Sequence, residues 1–217
     1  MVDIAFGLTI IASIFAIVDP IGVVPFFAMW TEGMSAEQKK DVITKSCLVS
    51  LTTLGVFAIF GQGIFALFNF TIPAFKIAGG LLLFGIAFEM LHGQRPRTKM
   101  TDKEHDEAIE SEAIGIVPLG IPLLAGPGAI TTVIIYMARP VGDPLDKMFV
   151  FVGIFITVIV TFYLLRSSDA VFRRFGRGGT LAVGRIFGLL LAAIAIQFVI
   201  DGIVSAYAAA RASGALP

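Results

Sequence analysis

Thirty consecutive residues between Lys45 and Lys76 carry no formal charge. About 20 apolar residues in a helix cross a hydrocarbon core roughly 30 Å thick, so this segment alone directs the chain into a bilayer. Five further apolar stretches accompany it, giving spans near 4–30, 46–70, 72–91, 114–138, 148–165 and 180–208. Composition agrees: 57% of the 217 residues are hydrophobic and 15% charged, with a mean hydropathy of +0.91. A soluble domain carries about 25% charged residues. The expected fold is an all-α integral membrane protein of six transmembrane spans.

Charge sets the orientation. Eleven lysines and arginines fall in the loops after spans one, three and five, among them Lys39, Lys40, Lys45, Arg95, Arg97, Arg166 and Arg173. The opposite side holds Arg139, Lys147 and Arg211. Basic loops stay in the cytoplasm, so both termini are expected outside, in a cell (inner) membrane. Met1-Val2-Asp3 offers no basic leader, so no cleaved signal is expected. The acid-rich stretch from Asp102 to Glu112 is expected to be a solvated linker. Asp169–Phe175 reads either as a short amphipathic helix on the inner surface or as a basic loop. The formal net charge is zero, which gives no reason to expect a nucleic-acid partner. Cys47 is the single cysteine; it forms no disulfide within the chain and makes no metal site alone. Nothing calls for a cofactor.

Two of the spans are interrupted. Asp19-Pro20-Ile21-Gly22 breaks the first and Ala125-Gly126-Pro127-Gly128 the fourth. Proline lacks an amide donor and glycine weakens a helix; in hydrocarbon such backbone is tolerated only against protein or a cavity. Pro20 pairs with Pro127 and Gly22 with Gly128 at a nearly constant spacing. Lys76-Ile77-Ala78-Gly79 is likewise echoed by Arg185-Ile186-Phe187-Gly188. Two copies of three spans must insert in opposite senses. The expected architecture is a 3+3 inverted repeat with discontinuous spans one and four: residues 1–92, a cytoplasmic loop 93–113, and residues 114–217. Breaks in matching spans point to a transporter's binding site.

The two breaks differ chemically. Asp19 is near the bilayer midplane, where a carboxylate costs about 3 kcal/mol and faces a cavity or a partner. Asp followed by Pro is also a favoured helix start, with Asp19 capping the amides near Gly22. Both roles are open to it, because a carboxylate accepts more bonds than one cap uses. Gly126 has no side chain, so the amides of Gly128, Ala129, Ile130 and Thr131 and the helix dipole make an anion site. Thr131 and Thr132 add hydroxyls. A zwitterionic amino acid fits between the two ends. Lys76 and Arg185 occupy matching places in the repeat and serve either as gates or as side chains reaching the headgroups. Gly79-Gly80 and Gly184-x-x-x-Gly188 read as close helix packing, within one chain or between copies.

The stretches Asp19-Pro20-Ile21-Gly22-Val23-Val24-Pro25-Phe26-Phe27 and Pro122-Leu123-Leu124-Ala125-Gly126-Pro127-Gly128-Ala129-Ile130-Thr131 resemble those of the MarC family of six-span membrane proteins. The resemblance covers essentially the whole chain. It implies secondary transport of small neutral amino acids such as glycine and alanine, and a transport site at Asp19, Pro20, Gly22, Gly126, Pro127, Gly128 and Thr131. Asp19 is then the natural carrier of a coupled proton. A passive channel for another small polar solute is the alternative. An enzyme is not expected: no Ser/His pair or intramembrane protease motif is present, and His92 and His105 lie away from the breaks.

Overall fold

The computed structural model describes residues 4–92, 114–138, 147–172 and 176–214, and from 169 to 184 the backbone alone. Eight helical segments follow in order: α1 Ile4–Val18, α2 Pro20–Trp30, α3 Ala36–Phe68, α4 Ile72–Leu91, α5 Gly115–Leu124, α6 Pro127–Ala138, α7 Met148–Phe172 and α8 Gly176–Ala212. No strand occurs among the described residues. Five apolar spans are long enough to cross a membrane, with α1 and α2 together forming the first (Ile4–Trp30). The pair α5 and α6, bent by 54°, is apolar and long enough to count as a sixth if the two form one span. The expected linker 93–113, the N-terminal tail and the loop bearing Arg139 lie outside the described residues.

Helix ends follow local chemistry. α3 begins ten residues before the span expected from hydropathy, so Lys39, Lys40 and Lys45 are helical rather than in a loop. The cause is a capping box: the Ser35 hydroxyl accepts from the Gln38 amide at 3.2 Å, and the Gln38 side chain accepts from the Ser35 amide at 2.7 Å. At 33 residues, α3 is about 50 Å long, so its charged first turns extend beyond the hydrocarbon. α7 runs on to Phe172; the backbone at 169–172 therefore continues that helix instead of starting a separate surface helix. Residues 173–175 fall outside the description.

α5 is not a regular helix. Val117 (φ −134°, ψ 123°) and Ile121 (φ −135°, ψ 125°) are extended, and each precedes a proline, Pro118 and Pro122. A residue before proline is pushed out of the helical region. The chain thus runs irregularly through α5 and regains regular helical form only at Pro127.

Packing centres on buried aliphatic residues such as Ile14, Leu54, Leu119, Val133 and Ile154. Glycines let backbones approach. A methyl group placed on Gly80 would lie 2.6 Å from the Ala195 carbonyl oxygen, one on Gly188 3.4 Å from the Ala87 carbonyl oxygen, and one on Gly202 2.9 Å from the Pro73 carbonyl oxygen. These contacts run in opposite directions along the two helices, so α4 and α8 pack antiparallel. α1 packs on α7, and α3 on α5, α6 and α7. Large apolar side chains such as Ile4, Leu67 and Leu82 face outward, where lipid tails satisfy them.

Because backbone crowds Gly80 and only open space surrounds Gly85, the two positions should respond oppositely to alanine. Gly80→Ala is expected to destabilise the purified protein by about 1–3 kcal/mol, whereas Gly85→Ala is expected to be neutral or to stabilise by up to about 1 kcal/mol. Thermal unfolding in detergent measures both.

Candidate functional site

At the first break a single residue leaves the helix. Asp19 adopts φ 47° and ψ 66°, the left-handed region, which Asp visits more readily than most residues. Pro20 then opens α2. Backbone bonds continue on both sides: the Asp19 amide donates to the Phe15 carbonyl at 3.0 Å, and the Val23 amide donates to the Asp19 carbonyl at 3.3 Å. Asp19 Oδ1 accepts from the Gly22 amide at 3.1 Å. Gly22 is needed there, because a side chain at that position would collide with the Asp19 carboxylate.

The second break has no such cap. Gly126 precedes Pro127, the first residue of α6, and has no side chain to offer. Its carbonyl accepts from the Ile130 amide at 3.0 Å, so the Ile130 donor is used within the helix. Pro127 has no amide proton. The amides of Gly128 and Ala129 are left without an acceptor inside the helix, as first-turn amides are. Gly126 fits closely over the Pro122 carbonyl, and Pro127 fits against Gly79 of α4.

Both breaks border one cavity of about 330 Å³. Asp19 and Gly22 line it at the first break and Gly126, Gly128 and Ala129 at the second. Asp19 is exposed to this space, whereas Gly126, Gly128 and Ala129 are buried within the protein. The rest of the wall is mainly apolar: Phe26 from α2, Leu83 from α4, Leu123 from α5, and Phe187, Leu191 and Phe198 from α8. Among the described residues Asp19 is the only formally charged one in the lining. The cavity therefore offers one carboxylate, one uncapped helix end, and apolar surroundings in which both act strongly.

Not every residue picked out from sequence reaches this space. Thr131 and Thr132 do not line it. The Thr132 hydroxyl donates to its own helix, at the Gly128 carbonyl, at 2.8 Å, and the Thr131 hydroxyl is buried without a partner. The residues of α6 that line the cavity thus narrow to its first turn. Pro20 and Pro127 are buried and shape the breaks without lining the cavity. Lys76 is half-buried and Arg185 exposed; neither borders the cavity, and neither pairs with an acid among the described residues. Gln197 donates to Asp201 at 2.7 Å along α8. The aromatic wall of Phe26, Phe187 and Phe198 was missed from sequence, because a phenylalanine in a lipid-spanning helix gives no sign of whether it faces lipid or a cavity.

Residues 5–207 match the model of the MarC family integral membrane protein. The chain is 40% identical over 195 residues to the UPF0056 membrane protein MJ0972 of Methanocaldococcus jannaschii, covering 90% of this chain and 85% of that one. It is 34% identical to the UPF0056 membrane protein YvbG of Bacillus subtilis, covering 92% and 94% of the two chains. It is also 34% identical to the UPF0056 membrane protein YhcE of Escherichia coli, covering 88% of each. No solved structure matches the chain. A match across nearly the whole length, in helices long enough to span a bilayer, has one meaning: this is a multi-pass integral membrane protein and a member of the MarC family.

Proposed function

We propose that the chain is a secondary transporter of small neutral amino acids such as glycine and alanine, bound between Asp19 and the first turn of α6. One observation carries this: the carboxylate and the uncapped helix end line the same cavity. An ammonium group pairs with Asp19 while a carboxylate accepts from the amides of Gly128 and Ala129. No lysine or arginine among the described residues lines the cavity, so a second anionic group on the substrate finds no partner there. Apolar walls disfavour a polar side chain. A short, uncharged side chain satisfies both conditions.

The architecture that goes with this function is an inverted pair of three-span halves, residues 1–92 and 114–217, joined by 93–113. Its support is the antiparallel packing of α4 on α8, with Gly80 against Ala195 and Gly188 against Ala87. Two-fold symmetry also exchanges the contact of α1 with α7 for that of α5 with α3, and both contacts occur. The breaks at Asp19 and Gly126 are then counterparts that meet at the midplane. Both termini face outward from the inner membrane, by the distribution of lysine and arginine. Asp19, open to the cavity, is the carrier for a coupled proton.

Asp19→Asn is expected to reduce uptake of labelled glycine into proteoliposomes by tenfold or more, the scale of losing a hydrogen-bonded charge partner of about 1.5–3 kcal/mol; wild-type rates would remove Asp19 from the mechanism. Gly22→Ala, which displaces the Asp19 carboxylate, should lower uptake in a protein that still folds. Thr132→Val, whose hydroxyl touches only its own helix, should keep uptake within about twofold. Counterflow of labelled glycine should occur in the wild type; its absence alongside downhill flux would indicate a passive channel.

A further inference from the structure

A second cavity, of about 300 Å³, shares no lining residue with the first. It lies where the end of α2, the start of α3 and the last turns of α7 meet. Three cationic side chains line it: Lys39 and Lys40 from the first turns of α3, and Arg166 from α7. No acid lines it. Glu32, Glu37 and Asp41 lie nearby in sequence; Asp41 pairs with Lys45 at 2.9 Å and Glu37 is exposed. Ala36, the first residue of α3, also borders the space, so the positive end of that helix dipole adds to the field. The floor is apolar: Phe27, Ile43 and Leu165 are buried there, and Phe162 joins them.

We propose that this cavity binds the phosphate of an anionic phospholipid headgroup. A cationic mouth over an apolar floor, at the end of membrane spans, matches an amphiphile with a negative head. Arg166 supplies a planar fork for two phosphate oxygens, and the lysines supply point charges. Basic pockets between spans on one membrane face are suited to such headgroups. The apolar floor favours a lipid over free phosphate, which has nothing to place there. This site depends on the membrane-spanning fold and is independent of what the first cavity carries.

The test uses the full chain, delipidated in neutral detergent and titrated with phosphatidylglycerol, phosphatidylcholine or inorganic phosphate, with bound lipid counted by native mass spectrometry and stability followed by melting temperature. Phosphatidylglycerol is expected to bind with a saturable rise in melting temperature, and phosphatidylcholine not to. The double variant Lys40→Gln/Arg166→Gln should weaken phosphatidylglycerol binding by about 25-fold, about fivefold for each charge, while Arg211→Gln, at the far end of α8, should leave it unchanged. Equal retention of the two lipids by the wild type would overturn the proposal without any variant being needed. So would an equal loss in Arg211→Gln, or inorganic phosphate reproducing the full effect.

Discussion

Every backbone donor inside hydrocarbon must find an acceptor, and the interest of this molecule lies in how it meets that demand at two places. At Asp19 the chain steps out of helix for one residue and supplies its own acceptor, the side-chain oxygen on the Gly22 amide. At Gly126 it supplies none. Two first-turn amides of α6 have no acceptor within the helix, and their residues line the shared cavity. In water such a difference would be minor, since solvent would fill it. A helix end of this kind favours an anion, and the Asp19 carboxylate lines the same cavity.

The surrounding fold keeps that arrangement fixed. Pro127 fits against Gly79, and Gly126 fits over the Pro122 carbonyl, so the start of α6 is held by α4 on one side and by the irregular α5 on the other. Close glycine contacts join α4 to α8, and α8 brings Phe187 and Phe198 to complete the cavity wall. The residues with chemistry are few; the others make the wall apolar. The second, basic cavity at the ends of α2, α3 and α7 shows the same logic at the membrane surface, with charge at the rim and apolar side chains beneath.

Much of this was legible in the sequence because proline and glycine act locally. Asp-Pro marked the first break and Gly-Pro-Gly the second without reference to any other residue, and α4 has the boundaries that hydropathy gives it. The start of α3 was legible too, in Ser35-x-x-Gln38, but its lysines resembled a loop because charge and helix are easily confused with charge and turn. The extent of unwinding in α5 needed Val117 and Ile121 to be read as residues preceding proline rather than as part of an apolar run. Thr131 and Thr132 were placed at the site by proximity in sequence. They follow Gly128 by one turn on the same face of α6 and lie beyond the cavity lining, where the Thr132 hydroxyl bonds the carbonyl one turn back. The aromatic wall and the basic cavity depend on which helices meet, which no local pattern encodes.

The most direct measurement is the melting temperature of the purified protein titrated with glycine, acetate and methylamine separately. A ligand that binds only the folded state raises it in a saturable way. If Asp19 and the α6 amides hold the two ends of one zwitterion, glycine stabilises the protein at concentrations where acetate and methylamine, each carrying one end, do not. Acetate matching glycine, or no response to any small neutral amino acid, would contradict the account.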